Sequence, residues 1–185
     1  MGSWEGLNPP YSTIVADPPW ECDGTPAFGP SATGGVTRIA HDLPYSALSL
    51  SRILELPVAL LAGADAHLYL WTTQRNLPAA FNVARAWGFK YSQTLVWAKP
   101  PMGIGVGGAY AHNAEFVIFG YRGRWGSLGR VDTSWWLWSR GPHSRKPSGF
   151  LDVVERVSPG PYVELFARQP RLGWDSWGYG YEGVA

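Results

Sequence analysis

The first regular pattern along the chain is Ser12-Thr13-Ile14-Val15-Ala16, a β-branched apolar run that stops at an acid and two prolines. It predicts a buried strand whose carboxyl end delivers Asp17 into a loop. Residues 18–44 are rich in Gly, Pro, Ser and Thr without a period, which predicts a long loop, functional or disordered. Ser46 to Leu56 predicts a helix, with Leu48, Ile53, Leu54 and Leu56 as an imperfect apolar stripe. Ala66 to Trp71 predicts a second strand. A better helix runs from Asn76 to Trp87, where Leu77, Ala80, Phe81 and Ala84 fall at i, i+3, i+4 and i+7 and Gly88 sits where a helix ends. Tyr91–Ala98 and Glu115–Gly120 read as strands, and 121–145 as irregular. Pro147 opens another helix with Phe150, Val153, Val154 and Val157 in register, and Pro161–Ala167 gives a last strand.

Strands alternating with helices predict an α/β fold with a mostly parallel central sheet and flanking helices. Ligands of such sheets sit beyond the carboxyl ends of the strands. Asp17, Trp71, Lys99 and Arg168 all fall at or just past predicted strand ends, so one cleft could gather them.

Length and composition refine this picture. At 185 residues the chain is expected to form one domain, with long substrate-side loops at about 21–44 and 121–145. Hydrophobic content of 45% against 16% charged residues argues for a folded chain. No apolar run is long enough for a bilayer and the amino terminus has no signal pattern, so the expected location is the cytoplasm, without membrane contact. Cys22 is the only cysteine and the four histidines are scattered, so no metal is expected.

Net charge is only +1, yet it is unevenly spread. Arg122, Arg124, Arg130, Arg140, Arg145 and Lys146 face one acid, Asp132, giving that segment +5 and leaving −4 elsewhere. The segment also holds Trp125, Trp135, Trp136 and Trp138. Cations that neutralise phosphate beside rings that stack on bases suit a nucleic-acid track. The alternative is a solvated loop whose tryptophans fold back onto the core.

Asp17-Pro18-Pro19-Trp20 carries the chemical argument. An exocyclic base amine is a poor nucleophile because its lone pair is delocalised into the ring. Its alkylation requires acceptors that hold the N–H groups and relieve positive charge on nitrogen, which a carboxylate and a backbone carbonyl can do. Two prolines fix the backbone and remove two donors, and the aromatic could stack on an extruded base. The plainer alternative is a Pro-Pro turn with Trp20 in the core.

The motif does not stand alone. It is followed in order by Leu43-Pro44-Tyr45-Ser46, Leu70-Trp71-Thr72, Trp87-Gly88-Phe89 and Val96-Trp97-Ala98-Lys99. Then come His112 with Glu115, His143-Ser144-Arg145-Lys146-Pro147, Glu164-Leu165-Phe166-Ala167-Arg168, Gly173-Trp174 and Gly178. This series resembles the MT-A family of adenine methyltransferases over nearly the whole chain.

The resemblance implies a Rossmann-like methyltransferase fold, S-adenosyl-L-methionine as cofactor, and transfer of its methyl group to N6 of adenine in nucleic acid. DNA is favoured over RNA, in a bacterial or phage setting. It assigns catalysis to Asp17, Pro18, Pro19 and Trp20, and substrate contacts to Tyr45, Lys99, His112 and Glu115. Cofactor contacts fall to Asp17, Ile14, Lys146, Glu164, Phe166, Arg168 and Tyr179. Tyr179 departs from the family's Asn after the glycine, so that contact differs.

Competing readings are an RNA adenine methyltransferase, a non-catalytic nucleic-acid-binding subunit, and an enzyme that methylates the cytosine amine. A homodimer or a partner subunit is left open. Gly103-Ile104-Gly105-Val106-Gly107-Gly108 matches a dinucleotide fingerprint in spacing but lacks the helix after it, so it reads as a loop, a lid at most.

Overall fold

The structure, a computed structural model, describes residues 4–21, 27–30, 36–39, 47–100, 110–124, 126–139 and 146–178. In chain order these form β1 (Tyr11–Ala16), β2 (Ala27–Pro30), β3 (Val36–Ile39), α1 (Leu50–Leu54) and a short 3₁₀ turn (Val58–Leu60). There follow β4 (Ala62–Thr73), α2 (Leu77–Ala86), β5 (Lys90–Ala98), β6 (Ala114–Arg122), β7 (Trp135–Leu137), α3 (Gly149–Val157), β8 (Tyr162–Leu165) and β9 (Trp174–Trp177).

Seven strands make one sheet in the order β7-β5-β6-β4-β1-β8-β9, while β2 and β3 form a separate antiparallel pair. Pairing is parallel throughout the large sheet except along both sides of β6. The expected mostly parallel α/β architecture is therefore present. β4 and β5 are parallel and connected through α2, and β6 returns between them. That return needs no crossover helix, because antiparallel neighbours can be joined by a plain loop.

The two-residue period of the strands divides the core. Ile14, Ala16, Leu68, Leu70, Ile118, Val163 and Leu165 pack with Ile53 of α1 and Ala80, Val83 and Ala84 of α2. The alternate positions Val15, Tyr69, Trp71, Leu95, Trp97, Val117 and Phe119 pack with Phe150 and Val154 of α3. Helices thus cover both faces.

Several elements differ from the sequence expectation. β4 extends to 12 residues because it is clasped by β1 and β6 along its length. α1 is shorter than expected: Ser49 caps it, accepting from Arg52 N, and the chain tightens into the 3₁₀ turn at Pro57. The strand pair β2–β3 lies inside the stretch that showed no period. α2 ends at Trp87, with Gly88 at φ +85°, a left-handed conformation that glycine adopts without a Cβ clash. Pro147 precedes α3 rather than occupying its first turn, and its carbonyl accepts from Phe150 N at 3.0 Å.

Candidate active site

The strand directions decide what meets at the carboxyl edge of the sheet. β1, β4, β5 and β8 end there, and β6 starts there. The same edge therefore collects Asp17 just past β1, Lys99 just past β5 and Glu115 at the start of β6. Glu115 lies in register between Trp97 and Thr73. Alternation also aims these side chains at the α3 face, beside Trp71 and Trp97 and below the segment that brings in Lys146.

The result is an alternating ion cluster. Lys146 Nζ donates to Asp17 Oδ2 at 2.7 Å and lies 3.3 Å from Glu115 Oε2. Lys99 donates to Glu115 Oε1. All four side chains are at most one-fifth exposed, so this is not a solvated surface ion pair. Indole faces support the cations: Lys146 Nζ lies 5.3 Å from the Trp71 centroid, and Lys99 Nζ 4.3 Å from that of Trp97. Burial by itself would lower the Lys146 pKa, but Asp17 and Glu115 outweigh it and raise it. Burial would likewise raise Glu115, but the charges of Lys146 and Lys99 hold it low. The cluster is thus charged and internally neutralised.

Glu164 is the exception. It lies next to Val15 in register, on the same face. Burial and then the charge of Asp17 push its carboxyl up to about 7, only partly offset by Arg171 and Lys146. Its neighbour across the β8–β9 pairing is Ser176, whose Oγ is buried without a hydrogen-bond partner. A protonatable carboxyl beside an orphaned hydroxyl is a place for a ligand that carries hydroxyl groups. The sequence reading missed Ser176. The available signal was its two-residue step from Trp174 along a short terminal strand.

Past β8 the chain turns sharply. Phe166 is a non-glycine residue at φ +65°, packed edge-on against Trp177. Gly178 closes over it: a Cβ there would lie 2.3 Å from Ala167 O and 2.6 Å from Ala167 N, so no other residue allows this backbone approach. Arg168 is exposed on the same loop.

In the Asp17–Trp20 run, Trp20 N donates to Pro18 O at 2.8 Å, a γ-turn centred on Pro19. Leu48 N donates to Pro19 O at 2.8 Å. Pro18 O and Pro19 O thus each accept one backbone hydrogen bond, while the Asp17 carboxylate accepts from Lys146 at Oδ2. Trp20 crosses to the α2 face, where it is 8% exposed and its Nε1 donates to Trp71 O at 2.9 Å. Most of its surface follows the plainer alternative of a core tryptophan.

Other expected residues fall elsewhere. The Ile14 side chain is fully buried in the α2-side core, because strand alternation turns it away from the face that carries Asp17. His112 is exposed and stands outside the ion cluster. Tyr45, Tyr179 and the glycines 103–108 lie outside the described residues.

Among the described residues, the basic segment does not form one continuous track. Arg122 ends β6 at the opposite edge and donates to Ala59 O, and Arg124 pairs with Asp65 at 3.2 Å. Trp136 and Trp138 stack on each other at 5.3 Å and pack against the α3-side core, whereas Trp135 is exposed. Trp125, Arg140 and Arg145 lie outside the described residues. No helix among the described residues is long and apolar enough to cross a membrane.

Comparison with known proteins adds independent findings. The family model MT-A70 matches residues 11–180. The Type II methyltransferase M.MunI of Mycoplasma sp is 29% identical over 180 residues, 91% of this chain and 76% of that protein. A putative N(6)-adenosine-methyltransferase MT-A70-like protein of Medicago truncatula is 28% identical over 94% of this chain. The human N(6)-adenosine-methyltransferase catalytic subunit METTL3 is 24% identical over the same share. The chain spans only 27% and 29% of those two relatives.

Proposed function

Because the chain belongs to the MT-A70 family, we propose that it transfers the methyl group of S-adenosyl-L-methionine to the N6 amine of adenine in nucleic acid. The observation that carries this is the buried Asp17 at the carboxyl edge, held at one oxygen by Lys146 and set beside the Glu164–Ser176 pair.

The residues fit the cofactor. Glu164 and the orphaned Ser176 hydroxyl would hold ribose hydroxyls, the Phe166–Arg168 turn would carry the adenosine end, and Lys146 would face the carboxylate end. Bound there, the cofactor supplies a sulfonium methyl. The chain's own part is to hold the amine: the second oxygen of Asp17 accepts an amine N–H and stabilises the charge that develops on nitrogen. The proton then leaves through the same carboxylate or solvent. Trp71 and Trp97 exclude water from beneath the cluster, which strengthens each of these interactions.

DNA is the polymer we propose. Supporting it, the bacterial relative is matched over three-quarters of its length, the adenosine-named relatives over less than a third. The test is methyl transfer to matched single- and double-stranded DNA and RNA oligonucleotides, read by nucleoside mass spectrometry. N6-methyladenine should appear, most in DNA. Asp17→Ala should reduce turnover at least 10²–10³-fold while calorimetry still detects cofactor binding; full turnover in that variant overturns the proposal.

A further inference from the structure

A cavity of about 250 Å³ lies on the α2 side of the carboxyl edge, lined by Trp20, Glu21, Leu48, Leu50, Arg75 and Asn76, with Pro78 and Ala79. Asp17 faces the α3 side and Trp20 the α2 side, so the four-residue motif steps over the edge of the sheet. Three residues of chain span at most about 11 Å. The cavity is also pinned to the motif: Leu48 N donates to Pro19 O at 2.8 Å and Glu21 N donates to Leu48 O at 3.1 Å.

Its lining has the chemistry of a base site. Leu48, Leu50 and Pro78, with the small exposed part of Trp20, offer apolar contact of the kind the faces of a base require. Glu21 can accept from an exocyclic amine, Asn76 can both donate and accept, and Arg75 is a cation suited to a phosphate. A target adenine drawn out of its stack toward Asp17 leaves its neighbour on the same strand within reach of the other side of the edge.

We propose that this cavity holds the nucleotide adjacent to the target adenine on one side, making Trp20, Glu21, Arg75 and Asn76 specificity-determining residues. The inference rests on adenine being the substrate.

The experiment uses the full chain and single-stranded oligonucleotides with one adenine, in which each flanking nucleotide in turn is made abasic. For the wild type, loss of the base on one side should raise KM roughly tenfold, and loss on the other side should do little. Ala79→Trp fills the cavity. It should raise KM for the intact oligonucleotide to the same level and make the abasic change costless, the loss falling on KM rather than kcat. Arg75→Ala, at an exposed position, provides a second variant should the filled one not fold, and should also raise KM. Equal sensitivity on both sides, or a filled variant that still responds to the abasic change, overturns the inference alone. Absence of N6-methyladenine from every wild-type reaction overturns the adenine reading and this one together.

Discussion

On its α2 face the sheet presents Ile14, Ala16, Leu68, Leu70, Ile118, Val163 and Leu165 to the small residues Ala80 and Ala84. On its α3 face the same strands present Tyr69, Trp71, Trp97 and Phe119, ending in Asp17, Lys99, Glu115 and Glu164. The first face is aliphatic and lets a helix approach closely. The second is aromatic, and its rings floor a charged cluster. One set of strands therefore supplies stability through one parity of positions and chemistry through the other. The ion cluster sits where strands end, whereas Glu164, one residue inside the end of β8, is pushed toward its neutral form by burial. Even the polar group in the middle of the α3 face is neutralised by bonding: His67 Nδ1 and Tyr69 OH both meet Ser158 Oγ at 2.7 Å, and burial lowers the histidine pKa.

The sharpest way to break this contrast is Lys146→Ala. It leaves Asp17 and Glu115 buried with one cation fewer, and uncompensated buried charge costs about 3–5 kcal/mol. Urea unfolding should show a loss of that size at pH 7, together with loss of methyl transfer. A stability close to wild type would mean that the cluster is solvated rather than built in.

Glu164 sharpens the contrast through pH. Its folded pKa of about 7 lies above the ordinary 4.5, so the folded state binds the proton more tightly than the unfolded one. Its contribution is fully present below 4.5, and is lost as pH rises toward 7. Glu164→Gln should remove that loss, gaining at most about 3 kcal/mol over wild type at pH 8 in the ligand-free protein. Thermal melts of both proteins from pH 4 to 8 would measure it, and parallel curves would refute it.

The smallest effect belongs to the aliphatic face. Ile118→Val should cost about 1 kcal/mol in urea unfolding, leave kcat/KM unchanged and leave the pH profile of stability untouched. A change in kcat/KM would show that the two faces are coupled.

Much of this was legible in advance. The β-branched run before Asp17, the i, i+3, i+4, i+7 stripe of α2 and the stop at Gly88 each follow from local periodicity and conformation. So does the arrival of Asp17 and Lys99 at strand ends. Less legible were residues whose role depends on who sits beside them. The resemblance assigns Ile14 to the cofactor, but which way its side chain faces, into the α2-side core, follows only from alternation within the sheet. Trp20 read as a ring for the extruded base, and the γ-turn at Pro19 sets it instead on the α2 side of the edge, beside the cavity there. Ser176 carries no motif and gains meaning only from its register with Glu164.

What the sequence by itself determined is the period of each element, the chemistry at the strand ends and the family that the ordered motifs share. These are local properties of neighbouring residues. The tertiary structure decided that β6 runs against its neighbours, and with it that Glu115 meets Lys99 and Lys146 instead of lying at the far edge, where Arg122 now stands. It also decided which parity of each strand faces α3. Strand direction and register are set by contacts between segments far apart in the chain, through the burial of two different faces at once. No window of the sequence contains that information.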